Sequence, residues 1–141
     1  MTESDYFNLL DENTTLALIK GDVIIRRKGK GVSSAVELIN DSVDLNGFIA
    51  VDTVVGKALS ILFLKLGIKE VYALLISENA YTYLMRHGVK VTYKTITPNI
   101  LNRDKSDLCP MEKLSLSLDD YDDGYKVIVE RFNKMFKNQT M

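Results

Sequence analysis

Short apolar runs alternate with polar, glycine-bearing turns along the first two thirds of the chain, and their period changes from one run to the next. Residues 4–11 predict a short helical turn. Residues 14–19 (TTLALI) and 23–27 (VIIRR) have the lengths and β-branched content of strands. Lys20-Gly21-Asp22 between them predicts a tight turn, with glycine supplying the positive φ, so the pair forms an antiparallel hairpin. A glycine-rich stretch, Gly29-Lys30-Gly31, leads to a helix over 33–39. Residues 47–51 (GFIAV) predict the next strand. Asp52 is placed to cap a helix over 53–66, which is apolar almost all round and is therefore expected to be buried on several sides. Gly67 ends that helix as a C′ glycine. Residues 71–76 (VYALLI), uncharged throughout, predict a central strand. Ser77 then caps a helix over 78–87 that Gly88 closes, and residues 89–93 (VKVTY) alternate as a strand.

The last third is less periodic. Residues 102–110 form a polar loop, and 111–118 fit either a helical turn or a strand, through Leu114, Leu116 and Leu118. Residues 119–137 predict a closing amphipathic helix with Tyr125, Ile128, Val129, Phe132 and Phe136 on one stripe. The order is hairpin, helix, strand, helix, strand, helix, strand. The β-α-β-α-β run should be parallel, with right-handed crossovers. The expected architecture is a three-layer α/β/α sandwich on a mixed sheet, with the antiparallel hairpin at its N-terminal end.

Composition adds bounds. The 141 residues fit one domain, and no linker or internal repeat divides them. Hydrophobic residues make up 46 % and charged residues 26 %, enough apolar content for a core without staples. A formal net charge of -1 gives no general pull toward nucleic acid or anionic lipid. The longest apolar segment, 58–64, is far short of the roughly 20 residues that cross a bilayer. A single cysteine excludes an internal disulfide and suits a reducing compartment, and the acidic start MTESDYFNLL lacks the pattern of a secretory leader, so a cytoplasmic location is expected.

The segments KGV (30–32), DTVVGKA (52–58), ISENA (76–80), NRD (102–104) and CPMEK (109–113) resemble the family known as domain of unknown function 1893, over a core of about 12–130. The resemblance implies a cytidine-deaminase-like fold without the deaminase metal site. The residue inventory agrees on the metal. Zinc deaminases use one His or Cys with two further Cys, whereas this chain has one His and one Cys in total. No metal and no cofactor are expected. In the deaminase fold the zinc ligands stand at two neighbouring strand-to-helix junctions, which by segment order are Val51-Asp52-Thr53 and Ile76-Ser77-Glu78 here. Ligands of open α/β sheets bind outside the carboxyl ends of the strands, so a cleft at these junctions is the expected site.

Each candidate side chain has a structural reading beside its functional one. Asp52 is a helix cap or a general base. Lys57, on an otherwise apolar helix, is a structural ion pair or surface-reaching cation, or else a base or anion clamp. Ser77 is a cap, and Glu78 is a first-turn acid or the partner of Asp52 in an acid/base couple. Arg26, Arg27, Lys28 and Lys30 around Gly29 and Gly31 form a solvated basic loop or a phosphate-binding one. Cys109 is a packed thiol or a nucleophile activated by Lys113 or a helix N-terminus. Asn102, Arg103 and Asp104 pin a loop or orient a ligand, Arg103 as a bidentate anion partner. His87 closes a helix and has no catalytic role.

Three functions are compatible with this inventory. The first is binding of a small anionic or nucleotide-like ligand at the junctions, through Lys30, Gly31, Ser77, Asn102, Arg103 and Asp104. The second is metal-independent catalysis by Asp52, Lys57, Glu78 and Cys109. The third is a homodimeric interaction module using Tyr81, Tyr83 and Met85 of one helix. No nucleic-acid or membrane partner is expected.

Overall fold

A computed structural model describes residues 1–29, 32–101, 107 and 109–140, the side chains of 136–140 excepted. Five strands form one mixed sheet in the order β2-β1-β3-β4-β5: β1 (Leu16–Lys20), β2 (Val23–Arg27), β3 (Ile49–Val55), β4 (Glu70–Ser77) and β5 (Lys90–Thr97). The hairpin β1–β2 is antiparallel around Gly21, whose φ of +58° only glycine adopts freely. β1 also runs antiparallel to β3, and β3, β4 and β5 are parallel, as the alternation of strands and helices predicts.

β1 is buried on both faces. Leu16 and Leu18 point to one side and Ala17 and Ile19 to the other, all nearly inaccessible. The first side carries most of the core. Leu16, Leu18, Ala50, Val71 and Ala73 pack there with residues of α2 (Ser33–Asn40), α3 (Lys57–Leu66), α4 (Glu78–Arg86) and α6 (Tyr121–Thr140). The second side is covered by α1 (Glu3–Phe7), where Tyr6 stacks on Tyr72 at 4.4 Å and Phe7 meets the same ring edge-on at 5.7 Å. Phe136 of the expected α6 stripe has its side chain outside the described residues.

α3 is the hub of the helix layer, touching α2, α4, α6 and the short α5 (Pro110–Ser115). Its residues from Lys57 to Phe63 are all buried, as its unbroken apolar sequence predicts. Gly67 ends it at φ +87° in the left-handed region, and a Cβ there would come within 2.8 Å of the Asn46 backbone.

Some boundaries differ from the sequence-based expectation, and one open alternative is resolved. β3 continues to Val55 where a helix was expected from 53, because Thr53-Val54-Val55 is a β-branched run that pairs with β4. β5 extends to Thr97. The segment open to either helix or strand is helical over α5, which Pro110 starts. Tyr83, expected on an exposed helix face, is 3 % exposed and part of the core, while Tyr81 packs edge-on against Tyr93. Met85 alone of that trio is largely open, at 48 %.

Gly67→Ala should lower unfolding free energy by about 2 kcal/mol, through the left-handed backbone and the clash with Asn46. Urea denaturation reads this as a lower midpoint at unchanged slope. An unchanged midpoint would mean that the C-cap geometry is wrong.

Candidate functional site

The carboxyl ends of β3 and β4 hold the two junctions. At the second, the expectation stands. Ser77 ends β4 in an extended conformation, and its hydroxyl accepts from the Ala80 amide at 3.1 Å, capping α4. At the first, the expected cap is corrected. Asp52 lies inside β3, opposite Leu16 of β1 and Ala73 of β4, and caps nothing. α3 begins only at Lys57, after Gly56, which has no side chain to offer.

The cap of α3 comes from 55 residues downstream. Glu112 of α5, 6 % exposed, accepts from the Lys57 amide at 3.2 Å and from the Ala58 amide at 3.3 Å. Burial pushes its carboxyl up from the ordinary range, against the pull of those two amides and of the Lys57 charge. Gly56 makes the approach possible, since a Cβ there would overlap the Glu112 carboxylate. Lys57 returns the contact: its Nζ donates to the Leu116 carbonyl at 3.2 Å, at the C-terminal end of α5. Asp119 stands 3.9 Å from the same ammonium, and the Tyr83 ring lies 5.4 Å away. These are contacts of the kind its structural reading expects, and Lys57 also lines a small cleft with Asn79, Thr82, Tyr83, Arg86 and Asp119.

Asp52 has a different setting. It is 7 % exposed and lines a cavity of about 300 Å³ with Thr15, Gly29, Ser34, Thr53, Val54 and Leu59. Its Oδ1 accepts from the Thr53 amide at 2.6 Å and lies 3.3 Å from the Thr53 hydroxyl. Burial drives its carboxyl from 3.8 up to about 7, while the Thr53 and Val54 amides pull the other way. The wall opposite is polar: the Thr15 hydroxyl donates to the Gly29 carbonyl and accepts its amide, both at 3.0 Å. α2 starts beside this cavity, where Ser34 and Ala35 line the wall.

A second, apolar cavity of about 250 Å³ adjoins the first through the shared walls Val54 and Leu59. Cys109 and Glu112 lie on it, with Val32, Ala58, Ile100 and Met111. Cys109 is half-buried at the start of α5, and Lys113 pairs with Asp107.

Of the residues expected to act together, Asp52 lines one cavity, Cys109 its neighbour and Lys57 a third space. Glu78 is exposed in the first turn of α4 and is not among the described residues that line the Asp52 cavity. The buried acid that completes this region is Glu112, which sequence reasoning missed because no local pattern links position 112 to position 57. Lys30, Gly31, Asn102, Arg103 and Asp104 lie outside the described residues. Among the described residues, no three His, Cys, Asp or Glu side chains converge as metal ligands, and no helix is long and apolar enough to cross a membrane.

A mixed five-stranded α/β domain with a buried acid in a cleft at the carboxyl end of a parallel strand defines the class. The model of the DUF1893 family, a domain of unknown function, matches residues 7–132, and the chain belongs to that family. The crystal structure of the DUF1893 family protein TM1506 from Thermotoga maritima is similar, with a TM-score of 0.80 and 27 % identity, covering 91 % of this chain and 86 % of that one. No curated protein matches the chain.

Glu112→Ala should cost about 3 kcal/mol, because it leaves two buried amides without an acceptor. Glu112→Gln, which keeps one acceptor oxygen, should cost about half of that. Equal losses for the two variants in urea denaturation would show that the carboxylate is not the cap.

Asp52 makes a pH-dependent contribution of fixed sign. Its folded-state value lies above its unfolded one, so between about pH 4 and 7 the native chain holds a proton that the unfolded chain has lost. The associated stability is present below about pH 4 and is lost as pH rises to about 7, to an extent of roughly 4 kcal/mol. Asp52→Asn should therefore stabilise the protein strongly at about pH 8 and little at about pH 4. Denaturation of both proteins at the two pH values checks this; an equal effect at both would place Asp52 in solvent.

Proposed function

We propose that this chain binds a small nucleotide-like or otherwise anionic molecule in the Asp52 cavity, on a cytidine-deaminase-like scaffold without the zinc site. The observation that carries the reading is the buried Asp52 carboxyl facing a cavity at the end of β3. A fold gains nothing from an acid there, and perturbed acids in clefts mark functional sites. Thr15, Ser34 and Thr53 add hydroxyl groups around it. These groups suit the hydroxyl- or amine-bearing part of a ligand. The start of α2 at the cavity wall and Lys28, which precedes Gly29 of that wall, suit its anionic part. The sheet order and the hairpin-first topology support the scaffold assignment. The enzyme reading narrows to Asp52, whose value near 7 matches general acid–base work.

Native mass spectrometry of the protein from its expression host should show a bound small molecule that denaturing conditions release. Asp52→Asn should weaken that ligand about tenfold or more, and wild-type affinity should rise as pH increases through about 7, where the carboxyl ionises. A folded protein with no bound molecule and no thermal shift across a panel of anionic metabolites would remove the support for this function.

A further inference from the structure

Both edge strands of the sheet, β2 and β5, lack a neighbour among the described residues. Unpaired edges are pairing surfaces unless charge, proline, a bulge or a covering segment protects them. β5 is protected. Lys90, paired with Glu70 at 3.6 Å, and Lys94, lying over the Phe7 ring, stand along it, and Tyr93 packs against Tyr81. β2 is not protected over its first half. Val23 is 52 % exposed and Ile24 is 44 % exposed, and as consecutive strand residues they are bare on opposite faces of the sheet. The two arginines stand at the other end of the strand and leave Val23 and Ile24 uncovered. Arg26 donates to the Leu9 carbonyl at 3.2 Å, and Arg27 donates to the Arg26 carbonyl at 3.0 Å.

We infer that β2 is the surface on which a second copy of this chain docks, edge to edge and antiparallel about a two-fold axis, so that the two sheets become one. The charge order of the strand selects this occupant. The acidic residue of the turn, Asp22, precedes Val23-Ile24-Ile25, and Arg26 and Arg27 follow them. A two-fold pairing with Ile24 opposite its own copy sets Val23 opposite Ile25 and Asp22 opposite Arg26, twice over. Apolar side chains then meet in the middle and opposite charges at each end. The same operation on β5 centred at Thr92 would set Lys90 opposite Lys94, a like-charge pair.

Sedimentation equilibrium on the full chain tests the inference. Wild type should be dimeric at micromolar concentrations, and Ile24→Lys should weaken the dimer about tenfold or more, with a native circular dichroism spectrum because Ile24 is exposed in the single chain. Tyr93→Lys and Met85→Lys, on the other exposed patches, should leave the dimer intact. In a Cys109→Ser background, Ile24→Cys should cross-link two copies on mild oxidation, since facing residues of antiparallel strands lie within disulfide reach. A wild-type chain that stays monomeric overturns the inference and leaves the edge to a strand of another protein. A dimer that survives Ile24→Lys, or that does not cross-link through Ile24→Cys, overturns it as well.

Discussion

The carboxylate of Glu112 on the first amides of α3 is the interaction on which the rest of the fold depends. α3 is buried on every side at its start, so its leading N–H groups have no water to turn to. Gly56 leaves the N-cap position without a side chain, and an acceptor must come from elsewhere. It comes from α5, and α5 is held in return by the Lys57 ammonium on the Leu116 carbonyl. Each partner satisfies a helix end of the other. Lys57 and Glu112 are 55 residues apart in sequence, so the central helix of the core is completed only when the C-terminal third has docked. Contacts of such separation make folding cooperative and slow relative to local helix pairing.

The two buried acids of this region differ in how fully the fold accounts for them. Glu112 accepts two amides that would otherwise be orphaned, so its burial is offset by structure. Among the described residues, Asp52 accepts from those that follow it, and an apolar residue in its place would spare the sheet a desolvated carboxyl. Position 52 shares its face of β3 with Ala50, yet it falls where the helix layer opens into a cavity. A group that costs stability and faces a cavity is the stronger site candidate, which is why Asp52 and not Glu112 anchors the functional reading.

Most of the fold was legible because it is written in local patterns. The Lys20-Gly21-Asp22 turn, the period of two in β1, the unbroken apolar run of α3 and the Gly67 stop each follow from a few neighbouring residues. The site was legible only in part. Asp52 was recognised as notable, but its position just before an apolar helical run made it look like a cap; the β-branched Thr53-Val54-Val55 stretch carried the contrary information. Glu112 left no trace, since a cap supplied from another helix follows no spacing rule. Tyr83 looked like a surface aromatic because α4 is otherwise polar. In the structure its ring lies beside Lys57, and its hydroxyl donates to the Asp119 carbonyl at 2.5 Å, which lets a polar tip sit in the core.

The mixed character of the sheet explains why a basic segment stands near the candidate cavity at all. In a purely parallel sheet, the carboxyl end of β3 would lie beside the carboxyl end of its neighbour. Here β1 runs the other way, so Leu16, at its amino end, pairs with Asp52, and Thr15 reaches the cavity. The hairpin reverses the chain once more, and Leu16 pairs with Arg27, so β2 finishes at the same end of the sheet and delivers Gly29 to the cavity wall. Two antiparallel steps thus bring the start of β1, the end of β2 and the start of α2 to the end of the sheet where the parallel strands release their helices. The hairpin serves the cleft as well as the core, because it brings Thr15 from its start and Gly29 from beyond its end to the wall around one buried carboxyl.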